Sequence, residues 1–226
     1  MICLHGGPGI DGGYMRHSVL ARFEVPDLPG HGARAGDEVS MDAWVHATVE
    51  ALATEPDPPV LLGHSFGGFI ALETALRHPD ALSALVLVCT GPGPVSMKPP
   101  TLPDDRSVGA FYRERWPRFF SGDAVWGPLD ASQFSARAFN QGFQHILPGW
   151  QVGHRLTEVK CPVLLIAGES DGYRGAMEAM ASAVPQSRLV VLEGTKHLPF
   201  LEAPESFLQA LTGLPGVAEA STRTHR

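Results

Sequence analysis

The sequence predicts an α/β protein: a sheet of about six mostly parallel strands, helices on both faces, and a small helical cap. Three observations carry this reading. Short continuous apolar runs at 60–62, 84–89, 163–167 and 189–192 have the character of strands covered on both faces. Helical patterns alternate with them, which calls for right-handed crossovers between parallel neighbours. The run at 60–62 also ends in Gly63-x-Ser65-x-Gly67, directly before a helical pattern. That spacing describes a strand-to-helix turn so tight that glycine is needed two residues before and after the serine.

Composition bounds the answer further. A chain of 226 residues is one domain with room for a small insertion. A net charge of −7 offers no basic face for nucleic acid. Cys3, Cys89 and Cys161 fall in or beside apolar runs and read as core filling in a reducing compartment. No Cys or His spacing suggests a metal, so neither a metal nor another cofactor is expected. The N-terminus lacks the pattern of a signal peptide, and no run approaches the ~20 apolar residues of a membrane span. A cytoplasmic location is expected, without membrane or nucleic-acid partners.

In chain order, residues 2–4 form a short strand that runs into His5-Gly6-Gly7-Pro8-Gly9. In so glycine-rich a loop, backbone N–H groups can approach a ligand with no side chain in the way. A second short strand near 23–25 precedes Asp27-Leu28-Pro29-Gly30-His31-Gly32, a sharp turn in which Asp27 and His31 read as turn chemistry. Ser40 caps a helix whose Met41, Trp44, Val45, Thr48, Val49 and Leu52 share one face. The helix after Ser65 stops before Pro79. Met177 and Met180 mark a helix between the last two strands. Pro204 starts a final helix that buries Phe207, Leu208 and Leu211 and stops at Gly213.

The alternation breaks at 95–153, where no strand pattern occurs but ten of the eighteen aromatics (four Trp, three Tyr, eleven Phe in all) are found. This segment reads as a helical cap over the C-terminal edge of the sheet. Most of its aromatics hold the cap together. Phe111, Trp116, Phe119 and Phe143, with Arg113, are the candidates for a pocket above Ser65, because clefts at that edge are where α/β sheets bind ligands. The partition leaves a core of 1–94 and 154–216 and a polar tail of 217–226.

With the loop at 5–9, the turn at 27–32 and the Ser65 turn together, the chain resembles α/β-hydrolase-fold proteins over nearly its whole length. His-Gly-Gly-Pro-Gly is the form of the oxyanion loop in proline iminopeptidases and related ester hydrolases. Asp-Leu-Pro-Gly-His-Gly is similar to the turn of small capped members. The resemblance implies the order Ser, acid, His along the chain. Ser65 is then the nucleophile, and the N–H groups of Phe66 and Gly7 form the oxyanion hole. Asp171 ends Gly168-Glu169-Ser170-Asp171 and His197 ends Gly194-Thr195-Lys196-His197, each just past a strand. Glu169 competes for the acid role, and the family spacing favours Asp171. A serine hydroxyl needs a neutral imidazole to take its proton, and imidazoles titrate near ~6.5. A carboxylate fixes the imidazole's tautomer. His5 is expected to support the oxyanion loop and His64 to pack.

The chain departs from the family in two respects. It begins at the strand before the oxyanion loop, so the antiparallel strands that usually precede it are expected to be lacking. That leaves one edge less protected, with a homodimer as the open alternative there. The insertion is also short, with few acids (Glu114, Asp123, Asp130) and several arginines (Arg106, Arg113, Arg115, Arg118, Arg137). It is therefore unlike the acidic cap that holds an amine in proline iminopeptidases. The expected function is a metal-free serine hydrolase acting on a small apolar carboxylic ester, thioester or lactone, with a small-molecule substrate as its partner. The alternatives are amide hydrolysis of the proline-iminopeptidase kind, C–C cleavage or elimination on the same triad, and a ligand-binding or signalling protein on this scaffold.

Overall fold

Five strands stand side by side in chain order. β1 (Ile2–Leu4), β2 (Val60–His64), β3 (Ala84–Val88), β4 (Val163–Gly168) and β5 (Ser187–Leu192) form one parallel sheet in the order β1-β2-β3-β4-β5. The structure, a computed structural model, describes residues 1–214. The end of the expected core (215–216) and the expected tail (217–226) lie outside the described residues. Every residue of β1 to β4 is buried, which requires cover on both faces. β5, at the far edge, is mostly half-buried.

The sixth strand expected near 23–25 is reduced to a single parallel bridge between Glu24 and Ile2. The Cys3 N–H donates to the Glu24 carbonyl at 2.8 Å, on the side of β1 away from β2. Pairing stops there because a short 3-10 turn (Val19–Arg22) lies just before and Pro26, which has no N–H, just after. Among the described residues the sheet is thus five strands and a bridge.

The helices follow from local chemistry. After the short α1 (Gly13–Arg16), α2 (Met41–Leu52) starts where Ser40 Oγ accepts the Ala43 N–H at 3.1 Å. It buries Trp44, Val45, Thr48 and Leu52. α3 (Phe66–Arg77) is buried along most of its length against β1, β2 and β3, and ends before Pro79. Residues 95–153 hold α4 (Asp105–Arg115), α5 (Gly127–Asp130) and α6 (Ala136–Gln141), with a π turn at Gly142–Ile146 and no strand. Phe134 makes one antiparallel bridge to Ile10, tying this segment to the glycine loop. α7 (Arg174–Ala183) packs on β4 and β5, and α8 (Pro199–Glu202) and α9 (Pro204–Leu211) follow. Among the described residues no helix is long and apolar enough to cross a membrane.

β3 is the middle strand, and Leu85 on it is fully buried. Leu85→Ala should lower unfolding free energy by about 2–5 kcal/mol, read as a drop in the urea midpoint at constant slope. A change below about 1 kcal/mol would show that the strand is not the packed centre described here.

Candidate active site

The site is built where β2 hands over to α3. Ser65 sits at φ 51 and ψ −115, a backbone conformation that costs any residue with a Cβ. Surrounding bonds hold it there. Its N–H donates to the Val88 carbonyl (2.9 Å), and its carbonyl accepts the Thr90 hydroxyl (2.7 Å) and the Gly68 N–H (2.9 Å). A Cβ on Gly63 would strike the Gly67 backbone, and one on Gly67 the carbonyls of Leu4 and His5. The glycine spacing is therefore a packing requirement, and its effect is to leave the serine side chain at the floor of a cavity.

Two later loops bring the partners. His197 Nε2 lies 3.0 Å from Ser65 Oγ, and His197 Nδ1 lies 2.7 Å from Asp171 Oδ2. The second carboxylate oxygen of Asp171 accepts the Tyr173 N–H at 2.9 Å. Burial opposes ionisation of Asp171, but the bonds from His197 and the Tyr173 N–H outweigh it and hold its pKa below the usual carboxylate value. Glu169 is turned elsewhere: it is exposed and accepts the Gly194 N–H at 3.0 Å. The two loops touch directly, since a Cβ on Gly168 would collide with the Lys196 carbonyl. The His197 N–H also donates to the Phe119 carbonyl (3.0 Å), so residues of the 95–153 segment help hold the ring in place.

Gly7 lines the cavity, whereas the Phe66 ring is buried against Trp44, so only its backbone N–H faces the question of oxyanion binding. Among the described residues neither the Gly7 nor the Phe66 N–H donates to a protein acceptor. Three histidines brace the loops. His5 Nδ1–H donates to the Gly6 carbonyl (2.8 Å) while its Nε2 accepts the Leu28 N–H (3.2 Å). His31 Nε2 accepts the Gly9 N–H (2.9 Å) and its Nδ1–H donates to the Pro29 carbonyl (3.1 Å). His64, expected only to pack, bonds through both nitrogens: to the Tyr14 hydroxyl and to the His197 carbonyl, each at 2.8 Å.

The cavity above Ser65 has a volume of about 550 Å³, within the ~300–1,000 Å³ of small-molecule sites. Phe111, Trp116, Phe119 and Phe143 line it as expected. Arg113 does not: its guanidinium pairs with Asp130 (2.6 Å) and lies over the Trp126 ring. On α4 the inward positions are Phe111, Tyr112 and Arg115, and position 113 falls on the outer face. Arg115, one of the insertion's arginines named from the sequence, lines the cavity together with Tyr112, Ile10, Tyr14 and Tyr173, and for the last three the sequence gives no local signal. Cys89, Asp171 and His197 bring three potential metal-donor atoms within 4.8 Å of one another. The set does not suit a cation. Asp171 and His197 are bonded to each other, the Cys89 thiol donates to the Lys196 carbonyl, and burial pushes that thiol's pKa well up.

Residues 1–210 match the alpha/beta hydrolase family, and the chain belongs to that family. Its relatives narrow the class. A pimeloyl-[acyl-carrier protein] methyl ester esterase of Aromatoleum aromaticum is 30% identical, with 81% of this chain and 83% of that protein covered. The enzyme of the same name from Nitrosomonas europaea is 29% identical, with 95% and 94% covered. Among solved structures, an esterase from Exiguobacterium antarcticum superposes with a TM-score of 0.77 at 21% identity, covering 98% of this chain and 91% of that one. The chain is an esterase-like hydrolase.

The bracing histidines carry a pH signature. Burial holds His5 down to about 4 and His31 and His64 to about 3, and in each one ring nitrogen must stay bare to accept a hydrogen bond. Unfolded histidine titrates near ~6.5, so below that pH the unfolded chain binds more protons than the folded one. Their contribution is complete above pH ~6.5 and is lost as pH falls toward 4. Urea midpoints should therefore drop sharply between pH 7.5 and pH 5, before Asp27 and Asp171, both held below the usual carboxylate value, begin to titrate. Equal midpoints at the two pH values would contradict this account of the three rings.

Proposed function

We propose that the chain is a serine esterase that cleaves a small apolar carboxylic ester through an acyl-enzyme, with Ser65, His197 and Asp171 as its triad. The observation that carries the reading is the unbroken contact from Asp171 through His197 to Ser65 Oγ at the floor of an aromatic-walled cavity. Ser65 Oγ attacks the ester carbonyl carbon while His197 Nε2 takes its proton. The charge that forms on the carbonyl oxygen is met by the N–H groups of Gly7 and Phe66, the latter at the positive end of α3. Collapse breaks the C–O bond, and the leaving alkoxide departs as an alcohol with the proton from His197. A water, deprotonated by the same ring, then attacks the acyl-Ser65 carbonyl and releases the acid. Asp171 fixes the ring so that Nε2 faces the serine and stabilises the transient imidazolium.

The relatives' names point to a methyl ester on a carried acyl chain, and the cavity chemistry agrees with that class. Phe111, Trp116, Phe119 and Phe143 offer apolar surface to an acyl chain, and a methoxy leaving group needs little room. Residues 95–153 act here as the cap that supplies those walls.

Hydrolysis of a series of acyl methyl esters by wild type and Ser65→Ala tests this reading. Loss of the serine should cost roughly 10⁴- to 10⁶-fold in kcat. A loss of only a few-fold would overturn the mechanism. A second reading, a substrate that carries a carboxylate, draws on Arg115, which lines the cavity with its guanidinium 3.7 Å from the centre of the Phe111 ring. The ratio of kcat/KM for a carboxylate-bearing ester to that for its neutral counterpart should fall about tenfold in Arg115→Gln if the guanidinium engages the anion. An unchanged ratio would show that Arg115 only packs on Phe111.

A further inference from the structure

We propose that Tyr14 and His64 are positioning residues that lock the glycine loop to the His197 loop, so that the oxyanion donors and the general base are set as one unit. The proposal rests on the reading of Ser65 as nucleophile and His197 as base. Four groups form a single line. The Gly6 N–H donates to Tyr14 Oη at 2.6 Å, the Tyr14 O–H to His64 Nδ1 at 2.8 Å, and the His64 Nε2–H to the His197 carbonyl at 2.8 Å.

The direction of this line is forced. A backbone N–H can only donate and a carbonyl can only accept, which fixes the two end links, and burial keeps the His64 ring from charging, so its one proton sits on Nε2 and its bare Nδ1 accepts the Tyr14 O–H. Both of its nitrogens are occupied, so it neither takes nor gives a proton in the reaction. Tyr14 and His64 are each 2% exposed, and water competes for neither. Aromatic neighbours restrict tilting: Phe200 lies edge-on to His64 at 5.1 Å, and Trp116 lies edge-on to Tyr14 at 6.0 Å. Gly6 must be glycine for the line to close, since a Cβ there would come within 2.9 Å of Tyr14 Oη and 3.0 Å of His64 Nδ1.

The ends of the line are what give it a role. At one end, Gly6 immediately precedes Gly7, whose N–H is a proposed oxyanion donor. At the other, the bonded carbonyl belongs to His197 itself. The connecting residue, His64, is the chain neighbour of Ser65. A shift in any of these three loops is thus resisted by the other two, and errors well under an ångström matter to a proton transfer between Ser65 and His197.

The test compares Tyr14→Phe, His64→Asn, His64→Gln and the Tyr14→Phe/His64→Asn double variant on an acyl methyl ester. Rates are expressed per active site titrated with a fluorophosphonate, so misfolded protein does not count. Tyr14→Phe and His64→Asn should each lower kcat about tenfold or more with KM changed less than about twofold. His64→Gln, whose side-chain amide reaches the His197 carbonyl, should recover part of the loss. The double variant should be no worse than the poorer single one, as expected for links of one chain. A lower Tm with kcat per titrated site unchanged would overturn the proposal, as would losses that simply add. Tyr14→Phe, which removes a single oxygen, decides the matter alone where His64→Asn does not fold. If wild type takes up no phosphonate, or Ser65→Ala keeps the wild-type rate, the reading of the nucleophile falls and this proposal with it.

Discussion

The structure depends on holding one serine in a backbone conformation that its Cβ disfavours. Among the described residues only Ser65 and Cys89 combine a side chain with positive φ, and both lie at the C-terminal edge of the sheet, Ser65 in the cavity and Cys89 buried beside Asp171 and His197. Such conformations persist only where the surroundings over-determine them. Here β3 supplies the Val88 carbonyl and the loop after it the Thr90 hydroxyl, α3 supplies the Gly68 N–H, and the close approach of β1 leaves no room for a side chain at Gly67. The buried strands β1 to β3 are thus the support that keeps the Ser65 side chain presented at the end of a turn.

Around that turn, the loops are held by neutral, buried polar groups. His5, His31 and His64 each use one nitrogen as donor and the other as acceptor. In a dry interior such bonds are stronger than in water, and an unmade one is more costly. Loops fixed this way hold their geometry without burying formal charge on the histidines that brace them. The carboxylate bonded to the His197 ring, Asp171, is the charge that the proposed mechanism uses.

Much of this was legible in the sequence, for physical reasons. Strands covered on both faces must be continuously apolar, so 84–88 and 163–167 stood out. The glycines at 63 and 67 mark a steric need and therefore announce the turn. Ser40 announces its helix because the first N–H groups of a helix require an acceptor. The stretch 23–25 looks like a strand in the sequence because its apolar residues do not reveal that pairing stops at Pro26. Arg113 and Arg115 look alike in the sequence, and only the helix phase set by Phe111 turns 115 inward and 113 out to Asp130. The His64 bonds were out of reach of local reasoning: Tyr14 lies 50 residues from His64, and His197 lies 133 away. No spacing in the sequence signals a contact that only the closed sheet creates.

The most direct measurement is mass mapping of the protein after reaction with a fluorophosphonate, set beside the same reaction of His197→Gln. The account predicts one adduct per chain, on the peptide that contains Ser65, formed orders of magnitude more slowly in the variant. An adduct on another residue, or labelling of Ser65 at the same rate without the imidazole, would contradict it.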